Sequence, residues 1–328
     1  MLEHSRQGVV AGIGSALVDI LVYEDDDFLR KTKAAKGGMM LVDQPFIEKT
    51  LALTSARPVI VPGGSACNTA VGVGKLGGAA RFIGKCGQDD MADLFEEDLK
   101  RNNVQPHLFR SDSPTGRVLS IITPDAQRSM FTFLGASSEM SPDEIAGSHF
   151  SDIHIVHLEG YLLFNKDLVY AALERSREAG ANVSLDLASY TVVEESRDVL
   201  EDIVDQFVDI LIANEDEARA FTGQTDEKKA IASLAQRADI AVLKVGQRGS
   251  YIGAQGKIIK IEPVTGQGAV VDTTGAGDLW ASGFLYGIAN GYSLDVCGRI
   301  GSACGYEVCQ VIGADIPDEG WDRIRTLL

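Results

Sequence analysis

Apolar positions change period several times along the chain. Residues 9–20 read as one strand with a glycine-rich middle and Asp19 at its end. Residues 91–102 place Leu94, Phe95 and Leu99 on one helical face. Two alternating runs, 118–123 and 130–134, flank the turn residues Pro124, Asp125 and Ala126 and predict a hairpin. A strand at 153–158 and a helix at 167–179, stopped by Gly180, follow. Runs 183–187, 210–213 and 240–245 are short and apolar, the form of buried parallel strands, and helices 215–222 and 227–237 separate the last two. A second hairpin is expected from 250–253 and 258–261, then helices near 277–290 and 294–311.

From about residue 150 the order is therefore βαβα, which predicts a mainly parallel sheet with helices on both faces. The first 140 residues mix that pattern with hairpin-like strands, as a small antiparallel sheet beside a large α/β unit would. No internal repeat, low-complexity tract or linker divides the sequence, so residues 1–328 are expected to form a single unit.

Composition narrows the function. Of the 328 residues, 45% are apolar and 23% charged, which excludes disorder, collagen-like and coiled-coil classes. The net charge is -17, from 30 Lys+Arg against 47 Asp+Glu. Such a surface argues against nucleic acid and membrane partners, and an anionic ligand must be met by local amides and a few cations. Five cysteines, an odd number with no CxxC, predict reduced thiols in a cytoplasmic protein. The N-terminus Met1-Leu-Glu-His-Ser-Arg6 lacks a signal peptide's order of charge and hydrophobicity, and no apolar run approaches a membrane span. His154 and His157, three apart on a strand, point to opposite faces and cannot share a metal.

Two segments carry chemistry. In Val271-Asp-Thr-Thr-Gly-Ala-Gly-Asp278, Gly275, Ala276 and Gly277 let successive amides converge at a helix N-terminus. That is an anion site by geometry and dipole. Asp278, in the first helical turn, is placed to take a proton from an attacking hydroxyl. Locally, a plain helix with Thr274 as N-cap fits the same residues. In Pro62-Gly-Gly-Ser-Ala-Cys-Asn68, the pair Gly63 and Gly64 precedes a helix carrying Asn68 near its start, suited to a vicinal diol against the backbone. A structural turn with a cap fits these too.

Taken together, Gly-Gly-x-x-x-Asn at 63–68, Gly-Lys-x-Gly-x-Asp at 84–89 and Asp-Thr-x-Gly-Ala-Gly-Asp at 272–278 resemble the hallmark regions of the ribokinase-like (PfkB) kinases, in order and spacing, over nearly the whole chain. The resemblance implies a three-layer αβα core with a small β-sheet lid, the lid built from parts of about 15–62 and 107–136. It implies transfer of the γ-phosphoryl of ATP to an alcohol of a sugar or nucleoside, with Mg2+. No GxxxxGK[ST] occurs, so a Walker-type site is not expected.

The same resemblance assigns roles. Asp19 matches the aspartate that grips substrate hydroxyls. Asn214 and Glu217 match an Asn-x-x-Glu element that orders water and Mg2+ around the triphosphate, although an acid-rich helix start explains them as well. Lys244, Gly246 and Gly249 match the strand and turn that face the ATP phosphates; Arg248 also fits a solvated loop charge. Ser302 and Ala303 match positions beside the adenine, where plain helix packing is the alternative. Asp272 and Thr274, with the turn at 312–314, resemble monovalent-cation loops suited to K+. Arg128, in the lid hairpin, matches an arginine that reaches the transferred phosphoryl, with an exposed hairpin charge as the other reading.

The acceptor is expected to be adenosine-like. Residues 63–68 and 129–135 resemble the adenosine kinase versions of these segments, and Tyr161 falls where an aromatic stacks on a nucleobase, with Leu17 and Leu134 opposite. Ser15, where those relatives have Asn, and Glu159, similar to a sugar-contacting glutamate, favour a free sugar or sugar acid instead. A non-catalytic sugar-binding regulator on the same fold is the remaining alternative. The expected assembly is a monomer or homodimer.

Overall fold

The computed structural model describes residues 8–328 except 33–35, 126, 265 and 267. The N-terminal hexapeptide and the turn residue Ala126 lie outside the described residues. β1 (Val9–Ile13) belongs to a large sheet, and β2 (Leu17–Tyr23) leaves it for a small one. α1 (Asp26–Thr32), β3 (Met39–Leu41), α2 (Gln44–Leu51) and β4 (Val59–Gly63) extend and cover the small sheet. α3 (Ser65–Lys75), β5 (Ala80–Cys86), α4 (Asp90–Arg101) and β6 (Val104–Arg110) return to the large one. The hairpin β7 (Gly116–Ile122) and β8 (Arg128–Phe133) completes the small sheet. Then β9 (Ile153–Glu159), α5 (Lys166–Glu178), β10 (Asn182–Asp186), α6 (Tyr190–Glu195), α7 (Arg197–Phe207), β11 (Ile210–Asn214), α8 (Glu215–Thr222), α9 (Glu227–Leu234) and β12 (Ile240–Lys244) alternate. The hairpin β13 (Ser250–Ala254) and β14 (Lys257–Ile261) closes one edge, and α10 (Ala276–Ala289), α11 (Leu294–Val308) and α12 (Asp318–Arg325) end the chain.

The large sheet has the order β14-β13-β12-β11-β10-β9-β1-β5-β6, parallel except at the β13–β14 edge. One buried cluster joins one face to α5 through α9; another joins the opposite face to α3, α4 and α10–α12. This is the expected three-layer αβα sandwich. The strand order reverses at β1, with β5 on one side and β9 on the other, which opens a crevice at the carboxyl ends of these strands. The small sheet, β3-β8-β7-β2-β4, covers that end as a lid.

Residues 9–20 are not one strand. The chain breaks at Gly14–Ala16 because Ser15 N–H donates to the buried Glu159 carboxylate at 2.9 Å. A Cβ on Gly14 would lie 2.4 Å from Glu159 Oε2, so only glycine fits. Asp19 consequently lies in mid-strand in the lid, paired with Val61 and Val118. Residues 107–110 belong to β6 in the large sheet, and the second lid segment begins at Gly116. The expected helix 227–237 ends at Leu234 and 294–311 at Val308. All five cysteines are unpaired, and no described helix is long and apolar enough to cross a membrane.

Candidate active site

Four segments meet under the lid. The first is the turn 272–275 leading into α10. Gly275 is the N-cap, left-handed at φ 70, and a Cβ there would lie 2.7 Å from Ala314 Cβ. Thr274 therefore is not the cap. Its hydroxyl donates to Asp272 Oδ1 at 2.7 Å, and Asp272 Oδ2 accepts Gly313 N–H at 2.9 Å. The 272–274 and 312–314 turns are thus tied together by one carboxylate. Ala276 N–H is taken by Thr273 O at 3.2 Å, and the amides that follow at the start of α10 have no acceptor within the helix, as an anion site requires.

Asp278 sits on that first turn. Its Oδ1 accepts from Ser65 Oγ at 2.8 Å and its Oδ2 from Asn68 Nδ2 at 2.9 Å. Removal from water raises its pKa, and these two hydrogen bonds oppose the rise. Asn68, read as an acceptor ligand, thus also holds the candidate base.

The lid brings Asp19 and Arg128 over the same point. Gly63 is what lets Asp19 in: a Cβ there would lie 2.6 Å from Asp19 Oδ2. Gly64, at φ 99, caps α3 and passes so close that a Cβ would meet Ser15 O at 2.4 Å. Burial pushes Asp19 up to about 6, offset in part by Arg128 and reinforced by Asp278. Arg128 donates to Ser120 Oγ at 2.8 Å and to Thr274 Oγ1, bridging lid and anion turn; its buried Nε has no partner. The hairpin charge is therefore not an exposed one.

Register decides which lid residues share the face of Asp19. Asp19 aligns with Val118 and Val118 with Thr132; Ser120 aligns with Met130. Met130 and Thr132 share the Asp19 face, whereas Phe131 turns away and packs on Phe46 at 5.0 Å. Leu134 lies one residue past β8, at φ -70 and ψ -31, half-buried at the start of the turn Gly135–Glu139.

Glu159 is placed differently from the expectation. Both its oxygens accept backbone amides, Ser15 at 2.9 Å and Ala66 at 3.0 Å, and it is buried. It fastens the β1–β2 break to the start of α3. Tyr161 stands on the 3-10 turn Gly160–Phe164, 38% exposed. That turn follows the carboxyl end of β9, where the crevice opens, and burial, with the nearby Glu159 and Asp278 carboxylates, pushes the Tyr161 hydroxyl up to about 12.

At the carboxyl end of β11, Asn214 and Glu217 form a capping box. Glu217 Oε2 accepts Asn214 N–H at 2.7 Å and Oε1 accepts its Nδ2 at 2.6 Å. Loss of water and the neighbouring Asp186 push Glu217 to about 7. Lys244 Nζ donates to Asp186 Oδ2 at 2.7 Å, and a Cβ on Gly277 would lie 3.1 Å from that nitrogen. Gly246 and Gly249 take φ 55 and 88, and a Cβ on Gly249 would meet Ile261 O at 2.1 Å. Arg248 is held by Glu215 and Glu227 at the surface. Ser302 and Ala303 are buried on α11, and Ser302 Oγ has no partner. His154 is exposed while His157 is buried, so the two do not meet. Sequence reasoning missed Asp186, and also Ser65 and Ser120, which hold Asp278 and Arg128. A groove of about 570 Å³ at the amino ends of β10–β12 lies at the other end of the strands and holds none of these groups.

Residues 35–320 match the pfkB family carbohydrate kinase, and the chain belongs to that family. It is similar to a nucleoside kinase of Methanocaldococcus jannaschii, 28% identical over 270 residues, which is 80% of this chain and 83% of the relative. Among solved structures it superposes on a probable sugar kinase from Rhizobium etli CFN 42 with TM-score 0.89 and 31% identity, covering 99% and 100% of the two chains. An adenosine kinase from Sinorhizobium meliloti gives TM-score 0.89 and 30% identity with the same coverage. The protein is a kinase of the carbohydrate and nucleoside class, using ATP.

Proposed function

We propose that the protein transfers the γ-phosphoryl of ATP to a hydroxyl of an adenosine-like ribonucleoside. The observation that carries the reading is the convergence of Asp278 with the α10 N-terminus, Asn68 and Asp19 under an arginine from the lid. Asp19 orients the acceptor diol. The attacking oxygen gives its proton to Asp278 as it bonds to phosphorus, and the bond to the bridging oxygen breaks to release ADP. Free amides at the start of α10, with Arg128, face the charge that develops on the phosphoryl oxygens. Met130, Thr132 and Tyr161 form the wall available to the base.

The residues present suit a hydrated Mg2+. Glu217, Asp186 and Asp278 outnumber the single ammonium of Lys244 among them, and loss of water, reinforced by Asp186, drives Glu217 towards neutrality. No trio of ligating side chains is assembled among the described residues, so water and phosphate oxygens would supply most ligands. Asn214 and Glu217 would hold such an ion through water, and it would offset the charge of the triphosphate. We read the turns joined by Asp272 as the K+ position, to be tested by exchanging K+ for Na+ in the assay.

A free-sugar acceptor is the second reading, favoured by equal superposition on the Rhizobium etli sugar kinase. The commitment of Glu159 to backbone amides removes one argument for it. ADP release measured over a panel of nucleosides, sugars and sugar acids separates them. Turnover with sugars and none with nucleosides overturns the nucleoside reading, and no ADP release with any acceptor overturns both.

A further inference from the structure

Strands β10, β11 and β12 end side by side at the cleft, Asp186 in register with Ile212 and Lys244 with Asn214. Alternate residues of a strand share a face, so Asp186 and Lys244 both point to the side of the sheet that carries α10. Lys244 reaches back across β11, and its Nζ meets Asp186 Oδ2 at 2.7 Å. Asp186 Oδ1 is fixed in turn by Ala188 N–H at 3.0 Å. The side chains are only 8% and 14% exposed. Burial holds neighbouring His157 down at about 4, so it is neutral and Lys244 carries the positive charge of this cluster.

The ammonium stops 3.1 Å from where a Cβ of Gly277 would be, at the second residue of α10 and one before Asp278. A cation at a helix N-terminus opposes the helix dipole. A buried ion pair is also a weak source of stability. Both costs reverse when an anion arrives between the ammonium and the helix amides. A lysine stem is long and flexible, so a fixed cation at this point needs a partner that aims it.

We propose that Asp186 is a positioning residue for phosphoryl transfer: it holds the Lys244 ammonium against the N-terminus of α10, so that cation and amides together receive the phosphoryl group in flight. The proposal rests on the kinase reading of the site and is independent of which acceptor is used.

The test compares calorimetric titrations with a non-hydrolysable Mg-ATP analogue and with Mg-ADP, no acceptor being present, on wild type, Lys244→Met, Asp186→Asn and the double variant. Lys244→Met should lose at least about 10-fold in affinity for the analogue with ADP changed under about 3-fold, a loss confined to the charge that the terminal phosphoryl adds. Asp186→Asn should show the same selective loss, and the double variant should be no weaker than Lys244→Met within about 2-fold, because the two residues act as one unit. Equal losses for both nucleotides, or a double variant with the product of the single losses, overturn the proposal. So does Lys244→Met with wild-type preference for the analogue, a result that stands even if Asp186→Asn does not fold. A wild type that binds both nucleotides but phosphorylates no nucleoside removes the acceptor assignment alone.

Discussion

Asn68 gives its side-chain amide to Asp278 Oδ2 at 2.9 Å, joining the first turns of α3 and α10 across the cleft. The glycine-rich turn before each helix lets the two N-termini converge, and one bond then fixes both the candidate base and a residue expected to touch the acceptor. Ser65 adds a second donor from the same turn. The carboxylate is thereby aimed before any ligand arrives, while loss of water makes it a stronger proton acceptor than an exposed aspartate.

Asp278→Asn should lower kcat at least about 10²-fold, the scale of a general base. ATP affinity and Tm should stay near wild type. Steady-state ADP release with titrated ATP checks it, and wild-type turnover removes Asp278 from the role.

Gly63→Ala should act on the acceptor through Asp19. The new methyl would lie 2.6 Å from Asp19 Oδ2 and must push that carboxylate away. A displacement of about 1 Å at a binding group costs on the order of 10²-fold in efficiency. The loss should fall on acceptor kcat/KM, with the KM for ATP within about 3-fold, a split read from two-substrate kinetics.

Asp19 also sets a pH dependence. Its folded pKa is raised from 3.8 to about 6, so the native state binds more protons than the unfolded chain between those values. The stability this group contributes is full below about pH 4 and lost as pH rises through about 6. Asp19→Asn should therefore raise Tm relative to wild type at pH 8 and not at pH 4, as thermal melts at the two pH values would show. Acceptor kcat/KM of the wild type should fall below about pH 6, where the carboxylate that grips hydroxyls is protonated.

The layers were legible where burial leaves a local mark. Short apolar runs at 183–187, 210–213 and 240–245 became β10, β11 and β12, since parallel strands covered on both faces need such runs. Helix α7 was there to be read from Val199, Leu200, Ile203 and Val204 at helical spacing. Strands β5 and β6 were masked by Arg81, Pro106 and His107. The break after β1 could not be read, because the carboxylate that makes it lies 144 residues away in Glu159. The same contrast holds in the site. An anion cradle needs small residues in sequence at a helix start, so residues 275–278 announce it. Asp186 acts through Lys244, 58 residues on, and has no local signature beyond an acid at a strand end.

Glu159→Gln distinguishes fastening from substrate contact. Both oxygens accept amides, so a side-chain NH2 must face an N–H in a buried place. The cost is about 1–3 kcal/mol. Denaturant melts should show that loss, with acceptor KM changed less than about 3-fold once folded protein is selected. A raised acceptor KM at unchanged stability would return Glu159 to the sugar-contacting role.

Tyr161→Ala bears on the acceptor itself. The ring stands at the cleft rim, 38% exposed, on the turn that follows β9. If it stacks on a nucleobase, it contributes about 1–3 kcal/mol, as base–aromatic stacking does in general. Adenosine should then bind about 10- to 100-fold more weakly to the variant. Free ribose has no base to stack, and its binding should barely change. Calorimetric titration of wild type and variant with both ligands reads the difference directly. Equal losses would mean that Tyr161 supports the cleft wall, and a wild type that ignores adenosine while binding ribose would pass the site to the free-sugar reading.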